Sequence, residues 1–482
     1  MQFNQKLIIN GAIWVTIISV LGIPFTMYLN WILGIYDLSG LILGKYAIII
    51  IIINTVTTFT LLGGSSVLTN FMPKIDKPED RGRFVFTYML ICIFMLLVVL
   101  LILLESRVAN FIFGDEITKK EIKIMLTLAP FLLISQLVIF ANQGRMMFKR
   151  ASLLNQLQVF LLSLVVTVLF FFNKKILLDN SIFVFSLVLI ITYIIIIIMG
   201  TYKQIIVLGF YWTKRINNFV FYSFFNTINT YLFSNFDKLI VVNYIGIKDL
   251  GVYFVLVQIA MLIKFLSIKI SQVLLSSFSN YVHSNNISEL KNVYSKISEL
   301  IIFSSTFFSI GLIILSIYIQ VIFGELYTQN SSILLIILIF GVNFSSIGSV
   351  NSMLVLAKEM NKSFFISNTV LIIFQLSVTL IFIKDYGIWA AVLGKVIGYI
   401  IGQLGLFYIL NKLKLVRIHK DYYLSQLIVV FSCIIGICFH LGKINFLSLI
   451  IFLLFMIILF LKKTSFEYNK YLLNFYKKIY HE

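Results

Sequence analysis

Long apolar runs recur along the whole chain, and short segments between them carry most of the polar and charged residues. Stretches such as IIIIIIN at 48–54 and IITYIIIIIMG at 190–200 do not alternate with a period of two. The strands of a transmembrane barrel require that alternation. The pattern therefore predicts helices and excludes a barrel.

A helix needs about 20 mostly apolar residues to cross the hydrocarbon core of a bilayer. Fourteen apolar stretches of about this length occur along the chain, and each is predicted to be a transmembrane helix. The sequence therefore predicts an all-α polytopic membrane protein. The predicted spans begin near Ile8, Gly40, Phe84, Ile122, Leu153, Ser181, Asn218, Leu250, Lys296, Ser331, Phe364, Gly387, Leu424 and Asn445.

Composition supports the membrane class, since 60% of the 482 residues are hydrophobic and 12% are charged. Soluble proteins have about 25% charged residues. The first apolar run extends from Leu7 to Leu33 without a small-residue cleavage site, which favours a retained helix over a signal peptide. All three cysteines fall in predicted spans and the four histidines are scattered, so the sequence predicts no disulfide framework, metal site or cofactor.

Lysine and arginine are distributed unequally between alternate loops. The N-terminus, every second loop and the C-terminal tail carry 24 of them, whereas the opposite loops carry nine. Cytoplasmic loops hold the excess of positive charge, so both termini are predicted to be cytoplasmic. The formal net charge of +19 is thereby explained by orientation and by attraction to anionic lipids, and a nucleic-acid partner is not indicated.

Four pairs of short motifs recur in the same order, which indicates an internal repeat. The pairs are separated by 207 to 213 residues and are GIYDL (34–38) with GIKDL (246–250), GKY (44–46) with GVY (251–253), FIFGDE (111–116) with VIFGEL (321–326), and FKRASLLN (148–155) with NKSFFISN (361–368). The repeat predicts two homologous six-helix bundles, at residues 1–205 and 206–415. Residues 416–482 then add two further helices and a basic cytoplasmic tail.

The seventh predicted span contains an ionisable pair, Asp237 and Lys238. One ionised side chain at the bilayer centre costs about 2.5–3.5 kcal/mol, so such residues usually have a function or a partner. At 3.6 residues per turn, the pair shares a sector of roughly 120° with other polar residues. These residues are Ser223, Asn226, Thr227, Thr230 and Ser234.

Other predicted spans carry polar stripes that suit the inside of a bundle better than lipid. Span 12 places Lys395, Tyr399 and Gln403 four residues apart, beside a stripe of small residues formed by Gly394, Gly398 and Gly402. Span 2 adds Asn54, Thr57, Thr58 and Ser65, span 4 adds Gln136 and Gln143, and span 8 adds Lys264 on the face of Ser267 and Ser271. Together the stripes predict a polar cavity between the bundles.

Structural explanations compete with this interpretation. Serine, threonine and asparagine also serve as hydrogen-bond partners between membrane helices. Lys45 and Lys269 lie near helix ends, from which a lysine reaches the interface. Asp237 and Lys238 are also consistent with a pair of charges that neutralise each other.

The segment DKLIVVNYIGIKDLGVYFVLVQIAML (237–262) resembles the polysaccharide flippases of the multidrug/oligosaccharidyl-lipid/polysaccharide (MOP) exporter superfamily. FGELY (323–327) and DYGIWAAVLGKVIGY (385–399) are similar to further segments of that family, and the resemblance covers nearly the whole chain. One departure is that LLSSFSNYVHSN (274–285) lacks a proline often found there, whereas NFMPK keeps Pro73. The shape of that loop is therefore not implied.

The resemblance implies a MATE-like fold and alternating access between two bundles. The implied substrate is an undecaprenyl-pyrophosphate-linked oligosaccharide repeat unit, flipped across the bacterial cytoplasmic membrane for O-antigen, capsule or exopolysaccharide synthesis. The implied partners are membrane lipids, a polysaccharide polymerase and a chain-length regulator. The uncharged first helix differs from the cationic one of lipid II flippases and from the acidic one of drug exporters.

The spans contain several lysines and one clear carboxylate, so an inward-facing set would attract the diphosphate of such a substrate. We expect Lys238, with Lys395 from the facing bundle, to hold the anionic head, and Asp237 to tune Lys238 or hold a coupling ion. The full set of predicted cavity residues is Lys238, Lys395, Lys264, Asn226, Thr230, Ser234, Tyr399, Gln403, Asn54 and Gln136.

An enzyme is the main alternative, namely a membrane-embedded polysaccharide polymerase or ligase. The longest predicted outer loop, at 105–121, is short for such an enzyme, and the sequence shows no catalytic triad, paired-carboxylate site or phosphate-binding loop. A lipid II flippase, a multidrug exporter and a structural scaffold also remain as alternatives.

Overall fold

The structure is a computed structural model that describes most of the chain. The described residues are 5–36, 40–72, 75, 77–105, 118–145, 147–172, 174–201, 206–283, 286–324, 327–358, 360–413 and 420–463. Within these ranges the chain forms helices joined by short connections, and no strand is present.

The described residues of the N-terminal half form eight helices. They are α1 Gln5–Tyr36, α2 Leu41–Thr60, α3 Gly64–Phe71, α4 Pro78–Leu104, α5 Lys119–Leu126, α6 Ala129–Gly144, α7 Phe148–Phe172 and α8 Lys174–Gly200.

Twelve α-helices follow within the part of the remaining chain that the structure describes. They are α9 Lys214–Tyr231, α10 Asp237–Tyr244, α11 Ile247–Met261, α12 Phe265–His283, α13 Ile287–Ile317, α14 Ile319–Phe323, α15 Gln329–Phe344, α16 Gly348–Ala357, α17 Asn361–Tyr386, α18 Ile388–Leu413, α19 Lys420–His440 and α20 Phe446–Lys463. A π turn, Leu232–Phe236, joins α9 to α10, and a 3₁₀ turn, Leu262–Lys264, joins α11 to α12.

The prediction of an all-α polytopic membrane protein is confirmed. Eleven helices in the described part of the chain are long and apolar enough to cross a membrane. Shorter apolar stretches occupy Val20–Gly34 in α1 and Phe446–Leu461 in α20, and α9, the π turn and α10 cover the predicted seventh span. Each predicted span thus coincides with a helix, while the count of fourteen crossings stays a prediction.

Apolar side chains cover much of the outer surface. Phe94 and Leu101 on α4 and Phe171 and Phe172 on α7 are between 65% and 85% exposed. In water such a surface would be unfavourable, whereas lipid tails are its natural solvent. The polar residues are correspondingly collected between helices.

The two halves each pack mainly within themselves. In the first half α7 packs on α1 and α8, and α2 packs on α4, α6 and α8. In the second half α18 packs on α15 and α17, while α19 lies on α13 and α15, and α20 contacts both α19 and α13. The residue limits of the two bundles stay a prediction.

The halves meet through a small set of helices. Helix α2 contacts α9 and α11, α3 contacts α9, and α1 contacts α12 and α14. At one end of this interface Gly44 and Gly251, near the starts of α2 and α11, approach closely. A Cβ atom added to Gly44 would lie 2.2 Å from the carbonyl oxygen of Ile247, and one added to Gly251 would lie 2.9 Å from the Gly44 nitrogen. These are the glycines of the repeated motifs GKY and GVY.

Candidate functional site

The polar seventh span is not a regular helix. Its α-helical hydrogen bonding stops at Tyr231, continues as the π turn Leu232–Phe236, and resumes at Asp237. A π turn accommodates about one additional residue, so the side chains that follow it are rotated by about 100° relative to an unbroken helix. The predicted polar sector is therefore interrupted at the π turn. The side chain of Asp237 points away from the polar residues that precede the turn and into the interior of the C-terminal half.

Asp237 forms a buried ion pair with Lys395 of α18. Its Oδ2 lies 3.2 Å from Lys395 Nζ, and the side chains are 0% and 2% exposed respectively. The Tyr253 hydroxyl of α11 donates to the same carboxylate oxygen. Lys395 also donates to the main-chain carbonyl of Phe233, inside the π turn.

This geometry corrects two interpretations of the sequence. A mutually neutralising pair of Asp237 and Lys238 was the competing structural explanation, and Lys395 was expected to act from the facing bundle. Both Asp237 and Lys395 lie in the C-terminal half and pair with each other. Lys395 is therefore not an open anion-binding group in this conformation, because its charge is already compensated.

Lys238 points instead to the junction between the halves. Its Nζ donates to Asn235 Oδ1 over 3.3 Å, and Asn54 Nδ2 on α2 donates to the same oxygen over 3.2 Å. One turn earlier the hydroxyls of Tyr231 and Thr55 are 2.6 Å apart, again across the junction. Lys238 thus lies beside the contact that links the two halves.

Lys264 ends the 3₁₀ turn before α12 and lies over an aromatic ring. Its Nζ is 4.2 Å from the centroid of the Tyr399 ring. That ring packs edge-on against Phe233 at 5.0 Å, and its hydroxyl donates to Met261 Sδ. Lys264, Tyr399 and Lys395 therefore surround the same π turn.

The glycine stripe of α18 packs as predicted. Cβ atoms added to Gly394 and Gly402 would lie 2.2 Å from Thr379 Oγ1 and Leu371 Cδ1, both on α17. The absence of side chains on this stripe lets the two helices approach closely. This close packing fixes the position of Lys395 on the neighbouring face.

The other predicted cavity residues occupy varied positions. Gln403 is 1% exposed, and neither atom of its amide has a hydrogen-bond partner among the described residues. Asn226 and Ser234 are half-buried, and Thr230 is exposed and donates to the Asn226 carbonyl. Gln136 is half-buried on α6, and none of the described polar contacts joins it to the lysines.

The predicted polar face of span 2 is only partly described. Helix α2 ends at Thr60, and Leu62 and Gly63 adopt positive φ angles before α3 begins. Ser65 therefore does not continue the face of Asn54 and Thr58 on one helix, and its side chain lies outside the described residues.

We define the lysine cluster as Asp237, Lys238, Lys264 and Lys395. Three lysines and one carboxylate leave a formal charge of +2 when all are ionised. Among the described contacts, only Lys395 forms an ion pair with Asp237. Lys238 and Lys264 contact an amide oxygen and an aromatic ring instead, and both retain capacity for an anion.

Three contacts of the cluster were missed by sequence reasoning. Asn235 and Phe233 acquire their roles through the π turn, which has no reliable sequence signal. Tyr253 belongs to the repeated Gly-x-Tyr motif, so the repeat was a sequence signal that could have singled out this residue. Asp237 was correctly recognised as unusual, but its partner was not.

A cavity of about 470 Å³ lies elsewhere, at the connection between α19 and α20. Its lining includes Ile435, Lys443 and Phe452 and none of the predicted cavity residues. In the described part of the chain, no three His, Cys, Asp or Glu side chains are arranged to hold a metal ion.

Residues 39–332, more than half of the chain, match the model of a family described as polysaccharide biosynthesis protein, and the chain belongs to that family. No curated protein matches the chain. The match confirms the predicted resemblance to a family of polysaccharide biosynthesis proteins.

Solved structures show the same fold at low sequence identity. The lipid II flippase MurJ in an inward closed conformation gives a TM-score of 0.64 at 18% identity, over 93% of this chain and 98% of that one. An inward-facing MATE multidrug resistance transporter of the MOP superfamily gives 0.59 at 14% identity, over 81% and 94%. A MOP superfamily transporter from Pyrococcus furiosus gives 0.57 at 14% identity, over 85% and 96%.

Proposed function

We propose that this protein flips undecaprenyl-pyrophosphate-linked oligosaccharide repeat units across the bacterial cytoplasmic membrane by alternating access. The units would supply the synthesis of O-antigen, capsule or exopolysaccharide. Membership of the polysaccharide biosynthesis family and the MOP fold support transport of a glycan precursor. In this proposal both termini face the cytoplasm, and the two halves move about the lysine cluster.

The observation that carries the proposal is the excess of positive charge in the lysine cluster, of which Lys238 lies beside the junction between the halves. Lys238 and Lys264 are held by neutral partners, Asn235 and the Tyr399 ring. A diphosphate would supply the anionic partner that these two lysines lack. The electrostatic attraction between diphosphate and lysines would be strong because the surroundings are poor in water. A cationic drug would be repelled by the same cluster.

The roles of individual residues follow from their contacts. We assign Lys238 and Lys264 to the diphosphate, and Tyr399, Gln403, Asn226, Thr230, Ser234, Asn54 and Gln136 to the sugars or to the walls of the path. Gln403 supports this assignment because its buried amide has no hydrogen-bond partner among the described residues. Lys395 acts indirectly, since it is engaged with Asp237.

Deletion of the gene in its native host provides the first test. The proposal expects single lipid-linked repeat units to accumulate on the cytoplasmic leaflet, where a membrane-impermeant glycan reagent does not reach them in intact cells. Loss of a polymerase would instead leave single units on the outer leaflet. Glycan chains lengthened by the purified protein alone would contradict the proposal.

Reconstitution provides the second test. Purified protein in liposomes should make a pyrophosphate-linked oligosaccharide accessible from both sides, and Lys238→Ala should slow this. Lys384→Ala is the matched control, because Lys384 lies at the far end of α17 beside Tyr244 and does not contact the cluster. Parallel assays with lipid II would distinguish the proposed substrate from a peptidoglycan precursor that carries the same diphosphate.

A further inference from the structure

Two oxygen atoms contact the ammonium group of Lys395 in the interior of the C-terminal half. Its Nζ lies 3.2 Å from Asp237 Oδ2 and donates to the Phe233 carbonyl. Gln375 Nε2 donates to the same carbonyl, and Gln375 Oε1 is buried without a partner among the described residues. The two oxygens that contact Lys395, a carboxylate oxygen and a main-chain carbonyl oxygen, are donors of the kind that hard metal cations take.

The Phe233 carbonyl lies inside the π turn and accepts from two side chains, Lys395 and Gln375. In an α-helix this carbonyl would accept from the amide four residues later, but a π turn moves the backbone bonds by one residue. In secondary transporters, the carbonyls of such interrupted helices coordinate Na⁺. Here the Lys395 side chain of α18 lies beside the Phe233 carbonyl, in the position that a mobile cation would otherwise occupy.

The charges at this position are already balanced. Asp237 and Lys395 sum to zero, and Lys238 is the next residue along the chain. A metal ion added beside Lys395 would leave an uncompensated positive charge in a region of low dielectric, close to Lys238 and Lys264. The ammonium group and a metal ion therefore exclude each other.

We propose that the Lys395 ammonium takes the place of an exchangeable alkali cation at Asp237. The C-terminal half is then assembled around a cation that is covalently part of the chain, and it needs no bound Na⁺ or K⁺. This proposal depends on contacts within the C-terminal half and does not depend on the transported substrate.

Thermal unfolding of the full-length protein in detergent tests the proposal. The wild-type midpoint should be the same in NaCl and in choline chloride of equal ionic strength. Lys395→Ala leaves Asp237 unpaired and opens space for an ion, so its midpoint should fall in choline chloride. NaCl should then raise it by a saturable amount, about 2 °C or more. Direct binding of radioactive sodium should give one ion per Lys395→Ala chain and none for the wild type.

Two variants serve as matched controls. Lys264→Ala removes a neighbouring lysine but keeps the pair of Asp237 and Lys395, so sodium should have no effect. The double variant Asp237→Asn with Lys395→Ala lacks the carboxylate and should also not respond.

Sodium binding by the wild type, or a wild-type midpoint that depends on sodium, would overturn the proposal. So would a folded Lys395→Ala protein that binds no sodium. Recovery of Lys395→Ala only from membranes extracted in NaCl would support it, and failure to fold in both salts would count against it. Because no transport is measured, these outcomes are separate from success or failure of the proposed flippase function.

Discussion

Substitution of Gly44 by alanine should force the two halves apart at one end of their interface. The new Cβ would lie 2.2 Å from the Ile247 carbonyl oxygen, and ordinary contact begins at 3.4 Å. The separation must therefore grow by about 1.2 Å (3.4 minus 2.2), and the obstacle is backbone that cannot rotate away. Such overpacking costs about 1–3 kcal/mol.

In the proposed alternating-access mechanism, the protein can avoid the free-energy cost of overpacking by changing its conformation. It can populate the conformation in which the halves are separated at this end. A free-energy cost of about 1–3 kcal/mol changes the equilibrium ratio of the two conformations by about 5-fold to 150-fold. We therefore expect Gly44→Ala to change the conformational balance more than the stability. The predicted orientation places this end on the outer side of the membrane.

Thiol labelling measures this change in the balance between the two conformations. Ile247 is 1% exposed at this interface, so a thiol introduced by Ile247→Cys should react slowly with an impermeant reagent added to intact cells. Gly44→Ala should accelerate that reaction by at least 5-fold, the lower end of the calculated range. The half-buried Cys438 is first replaced by serine, since Cys92 and Cys433 are already buried.

Gly311 supplies the control, because a Cβ atom added there meets nothing within 4 Å. Gly311→Ala should leave the labelling rate unchanged. The reasoning would be refuted if Gly44→Ala lowered the unfolding midpoint without faster labelling, or if both glycine variants accelerated labelling equally.

Three further predictions concern charge and topology. Asp237→Asn should destabilise the protein by about 3–5 kcal/mol because it leaves the Lys395 charge buried and unpaired. Adding Lys395→Met should recover most of the loss in a thermal unfolding assay, and no recovery would show that the pair is not the cause. Lys238→Arg should keep partial export of the glycan, Lys238→Ala should lose much of it and Lys238→Glu nearly all, at equal protein levels. Equal export in the three variants would exclude a charge-dependent role. A cysteine replacing Asp179 should react with an impermeant reagent in intact cells and one replacing Asn286 should not, whereas the reverse result would invert the topology.

The sequence alone determined where the helices are. Helices α4 and α13 each contain a long, mostly apolar stretch that the sequence marks as a helix, because every backbone group in a bilayer must be satisfied within its own helix. Close packing at Gly394 and Gly402 was also predictable, since small residues four apart create a flat stripe on any regular helix. These features depend on local spacing, which the sequence contains directly.

Charge and spacing also identified Asp237 and Lys395 as unusual, because an ionisable residue in an apolar run needs a partner. The identity of the partner was not local information. Asp237 and Lys238 are adjacent in sequence and share a sector of an ideal helix, and this regular geometry suggested an interaction between them and gave no sign of the pair between Asp237 and Lys395.

The tertiary structure decided the pairing through the π turn at Leu232–Phe236. The turn rotates Asp237 into the C-terminal half, where Lys395 and Tyr253 bind one carboxylate oxygen, and it leaves Lys238 at the junction beside Asn235. Its carbonyl at Phe233 is stabilised by side chains from α17 and α18, Gln375 and Lys395. A hydrogen-bond register that depends on donors from distant helices is fixed only when those helices pack, and for that physical reason local sequence does not encode it.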